Sequence, residues 1–76
     1  MAASSGRIKK QIMTVLERSG GSVTNPHGGN VVRTLMSKSR GGSIGNCKQW
    51  TDALESMGDV EVIYKGNVPV SVAIAA

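Results

Sequence analysis

The chain predicts an α+β fold in which three helices, with one short strand between the first two, are closed by a C-terminal β-hairpin. Three observations carry this expectation. The glycine pairs Gly20-Gly21, Gly28-Gly29 and Gly41-Gly42 cut the sequence at unequal intervals, which marks element boundaries and excludes a repeat. Between these boundaries apolar residues recur at helical spacing. From Asp59 onward the spacing changes to alternation. A chain of 76 residues buries only about 60% of its unfolded surface and leaves about 4,400 Å² exposed. One domain, residues 1–76, with a thin core is therefore expected, its first four residues flexible.

Each element follows from local chemistry. Ile8, Ile12, Val15 and Leu16 fall at i, i+4, i+7 and i+8, one stripe of a helix from about Ser5 to Ser19, with Ser4 or Ser5 as its N-cap. The opposite face shows Arg7, Lys10, Thr14 and Glu17. Ser22-Val23-Thr24 is β-prone but short, and Asn25-Pro26-His27 reads as a turn. Asn30 caps a second helix, Val31 to about Lys38, whose inward face is either Val31 with Leu35 or Val32 with Leu35 and Met36. Ser43 is positioned to cap a third helix that runs to about Met57 and ends at Gly58. On it Cys47, Trp50, Leu54 and Met57, with Ala53, form one apolar face, while Gly45, Lys48, Gln49, Asp52 and Ser56 lie roughly opposite.

In the tail, Val60, Val62 and Tyr64 alternate with Glu61, Ile63 and Lys65. Val68, Val70, Val72 and Ile74 then alternate with Pro69, Ser71 and Ala73. A two-residue Gly66-Asn67 turn would pair Ile63 with Val70 and Glu61 with Val72, setting a carboxylate on the valine face. A three-residue loop, Lys65 to Asn67, pairs Val62 with Val70 and Val60 with Val72 and keeps Glu61 outside. The second register is preferred, with Asn67 in the left-handed conformation and Pro69 turned away from the core on an edge strand.

Composition excludes several classes of function. With 39% hydrophobic and 18% charged residues the chain is too apolar for obligate disorder. It also has no apolar run near the roughly 18 to 20 residues of a membrane span. The opening ten residues set their charges after small residues and lack the apolar core of a secretory signal. A single Cys47 forms no internal disulfide, and with His27 it falls short of a four-ligand metal centre, so a reducing cytoplasm and no metal or cofactor are expected. Catalysis by Cys47 and His27 would need both at one exposed site. Periodicity instead buries Cys47, and His27 sits in a glycine-rich turn, so no catalytic residue is assigned and the chain is not expected to be an enzyme. The glycine pairs lack the Gly-Lys-Ser/Thr ending of a phosphate loop. Trp50, on an apolar face in a chain without phenylalanine, is read as the core's anchor rather than a stacking platform.

The order of elements, together with Cys47, Trp50, Thr51, Leu54-Glu55 and Met57-Gly58 in the third helix, resembles the winged helix-turn-helix DNA-binding superfamily. That resemblance implies that the third helix enters the major groove with its N-terminal half against base edges. Asn46, Lys48, Gln49, Gly45 and Asp52 are then the base-reading candidates: Asn and Gln bond adenine, Lys reaches guanine, Asp accepts from cytosine, and glycine permits close approach. Arg33, Lys38, Arg40, Ser43 and the hairpin's Lys65 are the candidates for phosphate.

Charge distribution agrees with this direction. The net charge is +4, but between Arg7 and Lys48 eight basic residues face Glu17 alone, whereas from Gln49 onward Lys65 faces Asp52, Glu55, Asp59 and Glu61. A double-stranded DNA partner is expected on the basic side, with a homodimer or cooperative oligomer on DNA to supply affinity that one small module lacks. The role would be transcription regulation or an architectural, excisionase-like one; free-standing regulators of this size resemble phage or plasmid gene products. The competing class is a winged-helix protein-interaction module, whose open valine-rich edge strand adds to a protein partner's sheet.

Overall fold

The computed structural model describes residues 5–39 and 45–75. The elements are α1 (Ser5–Arg18), β1 (Ser22–Thr24), α2 (Val31–Lys38), α3 (Cys47–Ser56), β2 (Val60–Lys65) and β3 (Val68–Ile74). Among the described residues they make a small α+β domain of three helices and one antiparallel sheet in the order β1-β3-β2. The accessible surface is 4654 Å², close to what chain length alone predicts.

The first helix ends within one residue of its expected limit. At its C-terminus Gly21 N–H donates to Leu16 O (2.8 Å) and Gly20 N–H to Glu17 O (3.4 Å), a Schellman cap made possible by the positive φ of both glycines. Ser5 is the first helical residue; Ser4, the other cap candidate, lies outside the described residues. Asn25 organises the next connection. Its side-chain oxygen accepts from His27 N–H (2.8 Å), its amide donates to Asn30 O (3.0 Å), and its backbone N–H donates to Val70 O (3.0 Å). Asn30 then caps α2 by accepting from Val32 N–H (2.9 Å).

Ile8, Ile12, Val15 and Leu16 of α1, Val31, Val32 and Leu35 of α2, and Trp50, Ala53 and Leu54 of α3 are all buried against Val23 and Val72 of the sheet. Both faces considered for α2 therefore turn inward, with Met36 half-buried beside them. Cys47 is half-buried rather than enclosed, because α3 begins at it.

Two expectations about the start of α3 are corrected. α3 does not start under a Ser43 cap: its N-cap is Asn46, in extended conformation, and Ser43 itself lies outside the described residues. Asn46 and Gln49 satisfy each other's backbone N–H groups, a reciprocal arrangement that a lone serine cannot match. Gly45, with φ at 72°, precedes the helix instead of lying on its polar face. The other end falls within one residue of its expected limit, with Ser56 the last helical residue, Met57 the C-cap and Gly58 just beyond it at no positive φ.

The hairpin adopts neither register considered. Lys65 pairs with Val68 across a two-residue Gly66-Asn67 turn, with Gly66, not Asn67, at positive φ. Between Ile63 and Tyr64 the register then shifts: Tyr64 opposes Pro69, Ile63 opposes Ser71, and Val70 is the extra residue of a bulge. Beyond it Val62 faces Val72 and Val60 faces Ile74, while Glu61 lies opposite Ala73. The bulge thus reconciles a tight turn with a consistent valine face. Pro69 is also buried, on the central strand and not an edge. Proline is tolerated there because it adjoins the bulge and because β1 ends at Thr24, opposite Ser71, leaving no neighbouring strand that needs its missing N–H.

Candidate nucleic-acid interface

The N-terminal half of α3 is a surface feature. Gly45, Asn46, Lys48 and Asp52 are exposed and Gln49 is half-buried, so the five residues expected to read bases lie along one short stretch of surface. Trp50, between them in sequence, points inward and is fully buried, which anchors this stretch to the core. Thr51 Oγ1 donates back to Cys47 O (2.9 Å) and adds no outward polar group there.

The side chains on this surface already have partners. Asn46 Oδ1 accepts from Gln49 N–H (2.9 Å), and Gln49 Oε1 accepts from Asn46 N–H (2.9 Å). A bidentate contact with adenine uses both the carbonyl and the NH₂ of an amide. Here each carbonyl oxygen keeps one lone pair at most, so these two residues start the helix first and can offer chiefly their NH₂ donors. Lys48 Nζ bonds Asp52 Oδ2 at 3.1 Å, with both side chains largely in solvent. An exposed i,i+4 pair of this kind is worth little, so Lys48 is readily released to an anionic partner.

The basic residues fall into separate groups. Arg33 shares a shallow groove with Met36, Ser37 and Cys47, which puts it beside the start of α3. Lys38 lies elsewhere, in a groove with Arg18, Ser22 and Thr24. The two stand five positions apart on α2, and so point in different directions. Arg18 Nη2 donates to Lys38 O (3.1 Å), satisfying a terminal carbonyl of α2 and holding the ends of α1 and α2 together. Arg40 and Ser43 lie outside the described residues. Lys65 is exposed at the hairpin turn, next to Tyr64, whose hydroxyl donates to Glu55 Oε2 (3.2 Å) near the end of α3. Lys65, the next residue of β2, points to the opposite face of the sheet from Tyr64, the face it shares with Glu61 and Ile63.

One basic feature contains none of the residues that the sequence assigns to DNA. Arg7, Lys10, Gln11, Thr14 and Arg18 of α1 line a groove of about 390 Å³ that reaches Ser39 at the end of α2. Its signal was present, since these residues recur at i, i+3, i+4, i+7 and i+11 opposite the apolar stripe. What the sequence lacked was the neighbour, because only the fold brings the end of α2 alongside.

Partial burial, and then the Glu55 carboxylate that accepts its hydroxyl, raise the Tyr64 phenol above its ordinary value. Among the described residues no group of three or more metal-ligating side chains occurs, and no helix is long and apolar enough to cross a membrane. Comparison with family models, with curated proteins and with solved structures finds no match.

Proposed function

We propose that this chain is a small winged-helix DNA-binding protein that offers the N-terminal half of α3 to the major groove. The observation that carries the reading is the division of charge across the surface. Lys48 and Arg33 flank the start of α3 and further cations line α1 and the end of α2, whereas the acids Glu55, Asp59 and Glu61 occupy the far end of α3 and the hairpin, with Asp52 between the two, one turn beyond Lys48 and paired with it. A polyanion is attracted to one end of α3 and repelled by the other, which favours insertion by its first turns only. The element order and the β1-β3-β2 sheet fit a winged-helix layout.

Within this reading Lys48 is the principal base-reading residue, and Arg33 is the phosphate contact nearest to it. Asn46 and Gln49 contribute mainly by fixing where the helix begins. Lys65, at the hairpin turn on the face of β2 that also carries Glu61, contributes least. Transcription regulation and an architectural role remain the two outcomes such binding can serve.

The test is a salt titration of binding to random and selected duplexes. Each phosphate contact contributes about 0.9 to the slope of log K against log salt. Arg33→Ala is expected to lower that slope by about one contact on every sequence. Lys48→Ala is expected to relax sequence preference, at about 1–3 kcal/mol on the preferred site. Binding that neither substitution changes by twofold overturns the groove assignment.

A second reading, a protein-interaction module, is favoured by one observation: Ile63, Tyr64 and Val68 are exposed together on the hairpin. It predicts no retention of duplex DNA at low salt and a single protein partner bound through the hairpin.

A further inference from the structure

Among the described residues, β2 is the strand where an open backbone edge and exposed apolar side chains coincide. It is an edge strand of six residues, and it contains no proline. The bulge that could twist an edge away has its extra residue on β3 instead. Ile63 is 62% exposed at its centre, on the outer face of the sheet with Glu61 and Lys65. Edges of this kind invite pairing with another strand.

The hydrogen-bonding parity of β2 is fixed by its surroundings. Ala75 N–H donates to Asp59 O (2.9 Å), and Lys65 closes the two-residue turn with Val68. Asp59, Glu61, Ile63 and Lys65 therefore direct their backbone groups toward β3. Val60, Val62 and Tyr64 direct theirs outward, away from the sheet.

We propose that β2 pairs antiparallel with β2 of a second copy of this chain, about a two-fold axis through Ile63, giving one continuous six-stranded sheet. Directly opposed residues must share a face, so a two-fold register has to centre on a residue. Centred on Val62, Glu61 would oppose Ile63 of the other copy; centred on Tyr64, Lys65 would oppose Ile63. Only the register centred on Ile63 sets Glu61 opposite Lys65, twice by symmetry, with the two Ile63 side chains between them. That register also satisfies the parity. Val62 and Tyr64, whose N–H and C=O groups point outward, become the bonded pair, and the two Ile63 residues form the non-bonded pair in which side chains approach most closely. The occupant is a second copy because the strand is self-complementary in charge, which an arbitrary partner would not match. The interface stands independently of the nucleic-acid reading, since it uses neither α2 nor α3.

Sedimentation equilibrium of the full chain without DNA tests this, with circular dichroism as the check that each variant folds. The wild-type mass should rise with concentration from that of one chain, 7.9 kDa, to twice that value. Ile63→Lys should weaken the dimer by roughly tenfold or more, because two like charges would meet at the axis. Glu61→Lys and Lys65→Glu should each weaken it, and the double variant Glu61→Lys/Lys65→Glu should restore it to within about twofold of wild type. A wild-type chain that stays monomeric to about 1 mM overturns the proposal, as does a dimer indifferent to Ile63→Lys. Failure of the double variant to restore association overturns the Ile63-centred register.

Discussion

The helices and the hairpin handle their surfaces in opposite ways. α1 encloses Ile8, Ile12, Val15 and Leu16 completely and shows solvent a basic, polar face. The hairpin encloses Val72 and Pro69, leaves Val60, Val62 and Ile74 half-buried, and exposes Ile63, Tyr64 and Val68 beside acidic residues. The difference teaches where each kind of partner can act. The helical side has finished its apolar packing and retains charge, which suits a polyanion. The hairpin side has apolar area and backbone groups still to satisfy, which suits another strand.

The largest expected effect comes from the shared core. Trp50→Ala should cost about 3–5 kcal/mol, a large part of the roughly 4 to 11 kcal/mol expected for a domain of this size. Urea denaturation followed by circular dichroism measures it. Ile63→Ala on the exposed hairpin face should change the stability of the isolated chain by less than about 0.5 kcal/mol. Equal effects at the two sites would erase the contrast between the regions.

A smaller effect separates helix initiation from DNA contact. Asn46→Ala should cost about 1 kcal/mol, because the Gln49 N–H at the start of α3 loses its acceptor. Asn46→Asp keeps the cap and should preserve stability, yet it adds a negative charge where phosphate is expected and should weaken duplex binding at low salt. Thermal denaturation and fluorescence anisotropy of the same samples check the two halves of this statement. Loss of stability in both variants would show that the capping geometry is not what starts α3.

The smallest effect is expected at Tyr64. Tyr64→Phe removes an exposed bond to Glu55 and should shift stability by no more than a few tenths of a kcal/mol. Its pH dependence has a definite sign. Because the folded protein raises the phenol's pKa, the associated stability is complete below the ordinary value of about 10 and is lost as pH rises through the raised one. Denaturation at pH 8 and above 10 should therefore show a decline for wild type that Tyr64→Phe reduces.

The sequence made the first half of the fold legible because independent signals coincide there. Gly20-Gly21 ends α1 just where its apolar stripe ends, and Asn30 caps α2 just before Val31. The start of α3 was harder, because Ser43 and Asn46 are both good caps. Asn46 wins through Gln49, three residues on, an amide pair that reads equally well as base-contacting chemistry. The hairpin resisted prediction for a different reason. The turn prefers Gly66-Asn67 and the valine face demands another register, and one bulged residue satisfies both, which neither regular pairing could. At the candidate interface, the exposure of Lys48 and Asp52 on α3 was readable from periodicity, while Gly45 fell outside the helix and Gln49 turned half inward to complete the cap. The separation of Arg33 from Lys38 follows from their spacing on α2, whereas the groove joining α1 to Ser39 depends on how the helices pack and could not be read from spacing alone.

The central claim is that the start of α3, and not the hairpin, meets DNA. Titration of the isotopically labelled chain with a duplex at low salt, followed by the backbone amide resonances in NMR, tests it most directly. The account predicts the largest shifts at Asn46, Lys48, Gln49 and Arg33, with Glu61 and Ile63 unmoved. Shifts confined to β2 and β3, or none at all in about 20 mM salt, where electrostatic attraction is strongest, would contradict it.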